Sequence, residues 1–98
     1  MADIEIAANA AEPRDANECF AFGMNYSAGA GVAIDLIEAH KWFNIAAMRG
    51  HADAARLRRE IAEQMADAEI GQAQRAARDW LKIHPQAPAP APAIRAAA

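Results

Sequence analysis

Three histidines, one cysteine and a short run of arginines are the side chains of this sequence with the most chemistry to offer. A metal site built on a helix needs two ligands at a short helical interval, such as two histidines four residues apart. His40, His51 and His84 are not so spaced, and Cys19 has no second cysteine. They read as surface or turn histidines, with His51 in the turn after Gly50. A nucleophile at Cys19 or Ser27 would need a base and an orienting group beside it, and Cys19 has the spacing of a packing residue. Glu60, Glu63 and Glu69 read as solvated helical glutamates rather than a carboxylate pair. Gly29-Ala30-Gly31 is short and follows a helix rather than a strand, so it is no dinucleotide loop. The expectation is no catalytic residue, no metal and no cofactor: not an enzyme.

The arginines invite a different reading. Arg49, Arg56, Arg58 and Arg59 form a basic cluster, the kind of charge that binds phosphates. Glu60 and Glu63 offset it and no aromatic residue is interleaved, which argues against nucleic acid. Arg56 and Arg59 lie about one turn apart and could grip an acidic peptide. Net charge is −3, divided into −5 over residues 1–48 and +2 over residues 49–98. This polarity either assists head-to-tail stacking or is a solvated pattern without a role.

These side chains must be positioned by helices, because no segment alternates with period two. The spacing predicts a first helix over about 17–28, with Asp15 and Glu18 as a capping pair. A turn bearing Gly29 and Gly31 follows. A second helix over about 36–49 has Asp35 and Glu38 as its cap and Gly50 as its stop. A third, over about 52–65, carries Ala54, Leu57, Ile61 and Met65 on one face. A fourth, over about 68–83, starts near Asp67 and carries Ile70, Ala73, Ala77, Trp80 and Leu81. Hydrophobic residues make up 54% of the chain, but many are alanine, so few large ones remain to build a core. Residues 1–14 read as a flexible arm, 15–84 as the helical domain and 85–98 as a disordered proline- and alanine-rich tail.

The first two helices also carry a motif. Cys19-x-x-Phe22-Gly23-x-x-Tyr26 followed by Ala39-x-x-x-Phe43 resembles the tetratricopeptide pattern. The interval from Gly23 to Ala39 is longer than usual and contains Gly29-x-Gly31-Val32 and then Asp35. With Glu38-Ala39-x-Lys41-Trp42-Phe43 and Ala46-Ala47-x-x-Gly50, the set resembles a Sel-one-like repeat over about residues 17–51. Phe22 stands where leucine is usual. Residues 52–82 resemble the divergent helical pair that often closes such arrays. The resemblance implies an all-α fold: a short right-handed solenoid of two antiparallel helical hairpins. Some relatives pin each helix pair with a disulfide, which Cys19 alone cannot do.

The resemblance also implies a function: a protein-interaction adaptor or scaffold, presenting a surface to a peptide or helix of another protein. In such arrays the first helix of each pair lines the concave side. Asn17, Phe20, Met24 and Ser27 would then face the groove, and Arg56 and Arg59 complete the expected partner-binding residues. The alternative is a self-associating module in which a second helical pair or another copy covers Phe20 and Met24. No apolar run is long enough to span a bilayer and no basic-then-apolar leader precedes Glu12, so the expected location is the cytoplasm.

Overall fold

A computed structural model describes residue 13 and residues 15–85, which form four α-helices with no strand among the described residues. α1 spans Ala16–Ala28, α2 Leu36–Met48, α3 Ala54–Ala62 and α4 Asp67–Ile83. The arm and the tail lie outside the described residues, apart from Pro13, which is buried, and Pro85, which is exposed.

Local chemistry explains where each helix begins and ends. The Asp15 carboxylate accepts the Glu18 N–H at 2.8 Å, and the Glu18 carboxylate accepts the Asp15 N–H at 3.3 Å. This closes the capping box over two of the free amides that open α1. Asp35 accepts the Glu38 N–H at 3.1 Å in the same way. Glu38 does not complete the box, because its carboxylate takes the Trp42 indole N–H at 3.1 Å. At the end of α2, the His51 N–H reaches the Ala46 carbonyl at 2.9 Å and the Gly50 N–H reaches Ala47 at 3.1 Å. That is a Schellman closure, and it needs Gly50 in the left-handed region, where φ is 99°.

α3 is shorter than the expected 52–65 at both ends. Asp53 lies at its start without a side-chain capping bond. At its far end, Gln64 bonds back to Ile61 and Met65 to Ala62, a three-residue step that tightens the chain out of the α-helix. α4 begins at Asp67, and Glu69 supplies its cap by accepting the Ala66 N–H at 2.8 Å.

α2 is the centre of the structure. Ala39, His40, Trp42, Phe43, Ile45 and Ala46 are all buried along it, and α1, α3 and α4 each pack on it. α2 runs back alongside α1: the Asp35 N–H reaches the Tyr26 carbonyl at 3.0 Å, while Phe20 meets His51 beyond the far end. α3 and α4 pack on α2 rather than extensively on each other. The completely buried alanines Ala39, Ala46, Ala54, Ala73 and Ala77 let the backbones approach.

Gly23 permits the closest of these approaches. A Cβ placed there would lie 2.6 Å from the Phe43 ring. Gly23→Ala tests this contact, with two effects opposed. Alanine gains roughly 1 kcal/mol in helix propensity over glycine, and overpacking costs typically about 1–3 kcal/mol. Phe43 is 1% exposed and packs among Phe20, Ala39 and Ile61, so its ring cannot yield without moving neighbours. Urea unfolding is therefore expected to show a net loss of up to roughly 2 kcal/mol, part of it recovered by adding Phe43→Leu. A neutral result would mean that the ring shifts freely.

Candidate partner groove

α1 and α3 flank a groove of about 260 Å³. Met24 and Ser27 form its α1 wall, and Leu57, Glu60, Ile61 and Gln64 its α3 wall. Phe43 of α2, almost wholly buried, lies at the bottom. Met24 is 42% exposed, so its thioether stands free at the lip. Ser27 is turned inward on its own helix, its hydroxyl donating to the Met24 carbonyl at 3.0 Å. The rim is polar, with the Glu60 carboxylate held 3.2 Å from Arg56. An apolar floor with a few polar groups around it is the usual make-up of a recognition site.

The residues expected to bind a partner fall in several places. Met24 and Ser27 share the groove. Phe20 is half-buried, stacked on the His51 ring at 3.9 Å and tilted against Phe43 at 5.4 Å. It props the core beside the groove through these two ring contacts and is only partly exposed. Asn17 lines a larger, polar depression of about 560 Å³ with Asp15, Arg49, His51 and Asp53. The acids of that depression are engaged: Asp15 caps α1, and Asp53 lies 3.8 Å from Arg56. Arg56 belongs to the groove only through Glu60. Arg59 is exposed and lies about 200° around the α3 axis from Leu57, on the face away from the groove.

A third depression, of about 230 Å³, is lined by Phe22, Asn25, Tyr26, Ala30, Gly31 and Val32. It lies on the side of α1 opposite the groove, as Phe22 and Met24 are about 200° apart. Phe22 meets Trp42 edge-on at 5.3 Å, Trp42 meets Trp80 at 5.2 Å, and Trp80 stacks on His84 at 4.0 Å. This ring series joins α1, α2 and α4 and accounts for the aromatic residues as structure.

No protein-family model, no curated protein and no solved structure matches this chain. Its function is therefore argued from the residues. Among the described residues no helix is long and apolar enough to cross a membrane, and no three His, Cys, Asp or Glu side chains gather as a metal site.

The histidines depart from expectation in one respect. His51 is in the turn, its Nδ1 accepting the Asp53 N–H at 3.1 Å. His40 is neither a surface nor a turn residue: it is 2% exposed on α2. Burial, reinforced by the Arg58 guanidinium, holds its pKa below the ordinary 6.5. The helical pattern missed this because His40 lies between the apolar positions Ala39 and Trp42, on the flank that carries Asn44, the partner of Arg58.

Cys19 is fully buried. Burial pushes its thiol up to about 11, with Arg49 pulling the other way and Asp15 and Glu18 adding to the rise. At pH ~8 only about one thiol in a thousand would be ionised, and reactivity follows the thiolate. Dithiobis-nitrobenzoate is expected to label folded protein at least a hundredfold more slowly than urea-unfolded protein. Comparable rates would mean that the α1–α2 interface opens readily.

Proposed function

We propose that this chain is a helical-repeat interaction module and that the α1–α3 groove receives an apolar side chain from a segment of a partner protein. The observation that carries this reading is the groove itself: exposed Met24 opposite Leu57 and Ile61 over a buried aromatic floor. Methionine suits such a lip because its unbranched, polarisable side chain adapts to different surfaces. The resemblance to the Sel-one-like repeat supports the same reading, since it makes α1 and α3 the first helices of two stacked hairpins in a short right-handed solenoid. The groove is then on the concave side, and its short polar rim favours a peptide or helix over a small molecule.

Peptides selected from a random library on the wild-type chain test this directly. Binding should shift the methyl resonances of Met24, Leu57 and Ile61 in an NMR titration. Met24→Asp is expected to weaken binding at least tenfold, because it sets a carboxylate against an apolar ligand. Arg59→Ala should leave affinity within about twofold, as exposed charges away from a contact contribute little. Shifts confined to residues outside the groove, or unchanged affinity in Met24→Asp, would overturn the assignment.

Self-association is the second reading, and a separate observation favours it. The Arg49 guanidinium donates to the His84 carbonyl, which brings the ends of α2 and α4 together. Met48 and Ile83, the residues just before them, are 63% and 74% exposed. Two large apolar side chains at one end of a small domain suit burial against another copy. Sedimentation equilibrium of wild type and Met48→Lys/Ile83→Lys distinguishes the readings. A dimer lost in the double variant would support this second interface, and a monomer at every concentration would exclude it.

A further inference from the structure

We propose that His40 makes the attachment of α3 acid-labile, so that the α3 wall of the groove loosens as pH falls below neutrality. The groove's role as a binding site rests on the reading above; the behaviour of α3 does not.

α3 depends on its neighbours to stay folded. It has nine residues and no side-chain cap at its start. Isolated helices of that length are not stable in water, so packing on α2 must keep it folded. Ala54 and Ile61 are buried in that interface. Its ion pairs, Arg56 with Asp53 and Glu60, are exposed and worth little. Its polar tether to α2 is Arg58, which donates to the Asn44 side-chain carbonyl.

His40 lies one turn before Asn44 on the same flank of α2. It is almost fully buried, and among the described residues nothing hydrogen-bonds its Nδ1. The charged side chain acting on it is Arg58 of α3, with no carboxylate acting in the opposite direction. A proton added to this ring creates a buried cation beside a guanidinium. Desolvation and like-charge repulsion act in the same direction, and together they outweigh the opposing pull of the residue's own backbone. Lifting α3 removes both, since the imidazolium reaches water and Arg58 leaves with its helix.

The sign follows from linkage. The attached state disfavours the proton and the opened state takes it at an ordinary histidine pKa, 6.5. Attachment is therefore at full strength above that value. It weakens as pH falls, by up to about tenfold in the opening constant per pH unit, until the buried ring itself titrates.

Other groups near α3 must be separated from this effect. His51 holds the Asp53 amide at the start of α3 and is the second imidazole of the region. Carboxylates ordinarily titrate below pH ~5, so the informative window is pH ~7.5 to ~5.

Amide hydrogen exchange on the full-length chain, corrected for intrinsic rates at each pH, measures the opening. The α3 amides of wild type should open up to about fivefold more readily at pH ~5.5 than at pH ~6.5, while the core amides of α2 change less. His40→Gln should remove most of this dependence and His51→Asn should retain it. The ring nitrogens of His40 in wild type, followed by NMR, give a readout independent of any variant; their titration midpoint should lie below 6.5. A His40 ring that titrates at or above 6.5, or α3 opening that depends on pH equally in wild type and His40→Gln, overturns the proposal. No ligand enters the measurement, so a failed peptide experiment leaves it intact, and its own failure leaves the docking reading standing.

Discussion

The Phe43 ring occupies the space that a side chain at position 23 would need, and much of the structure depends on that contact. Because Gly23 has no Cβ, α1 comes close enough for its backbone to cover the ring. Phe43 then belongs to the core through Ala39 and Ile61 while also forming the bottom of the groove. One residue thus fixes the α1–α2 spacing, receives α3 and sets the depth of the candidate site. On its other side α2 presents Trp42, Ile45 and Ala46, which meet Ala54 and Ala77. Few large apolar residues are available, so α2 is buried on most of its surface and the other helices share it. The alanines supply close backbone approach in place of volume, and Phe43 and Ile45 supply most of the volume that is completely enclosed.

Much of this was legible in the sequence because local signals agreed with one another. The Asp15–Glu18 box, the Asp35 cap and the Gly50 stop each depend on residues a few positions apart, and each formed. A close approach at Gly23 was also legible, since a glycine inside an otherwise regular helix asks for a close neighbour, but the small residues of α2 were the expected neighbours rather than the Phe43 ring. The ends of α3 were not, because the face from Ala54 to Met65 continues through a tightened turn that periodicity cannot distinguish from helix. The candidate site was legible only in part. Met24 and Ser27 follow from helical phase alone. Phe20 shares that phase, but His51 folds over it from the next connection, a tertiary event without a local signature. Leu57 and Ile61 looked like core residues and serve as both core and groove wall. How much of them shows depends on the width of the gap between α1 and α3.

The groove and the weakest helix are thereby the same feature. α1 is closed by a complete capping box and joined to α2 along its length, so the Met24 wall is rigid. α3 lacks a start cap, carries its ion pairs on the solvent side, and meets α2 through Ala54, Leu57, Ile61 and the Arg58–Asn44 bond. A side chain entering between Met24 and Ile61 would touch both walls, and so would hold α3 down as well as fill the space above Phe43. Binding and α3 order are then linked: whatever binds only the attached state stabilises it by mass action, and whatever loosens α3 weakens binding by the same free energy. Ordering a mobile wall lowers affinity relative to a rigid pocket. The same mobility allows the wall to adjust to different side chains, which suits a groove lined by methionine, leucine and isoleucine better than one lined by fixed polar contacts. A rigid wall on the capped helix and an adjustable wall on the uncapped one is the arrangement that this distribution of caps and alanines produces.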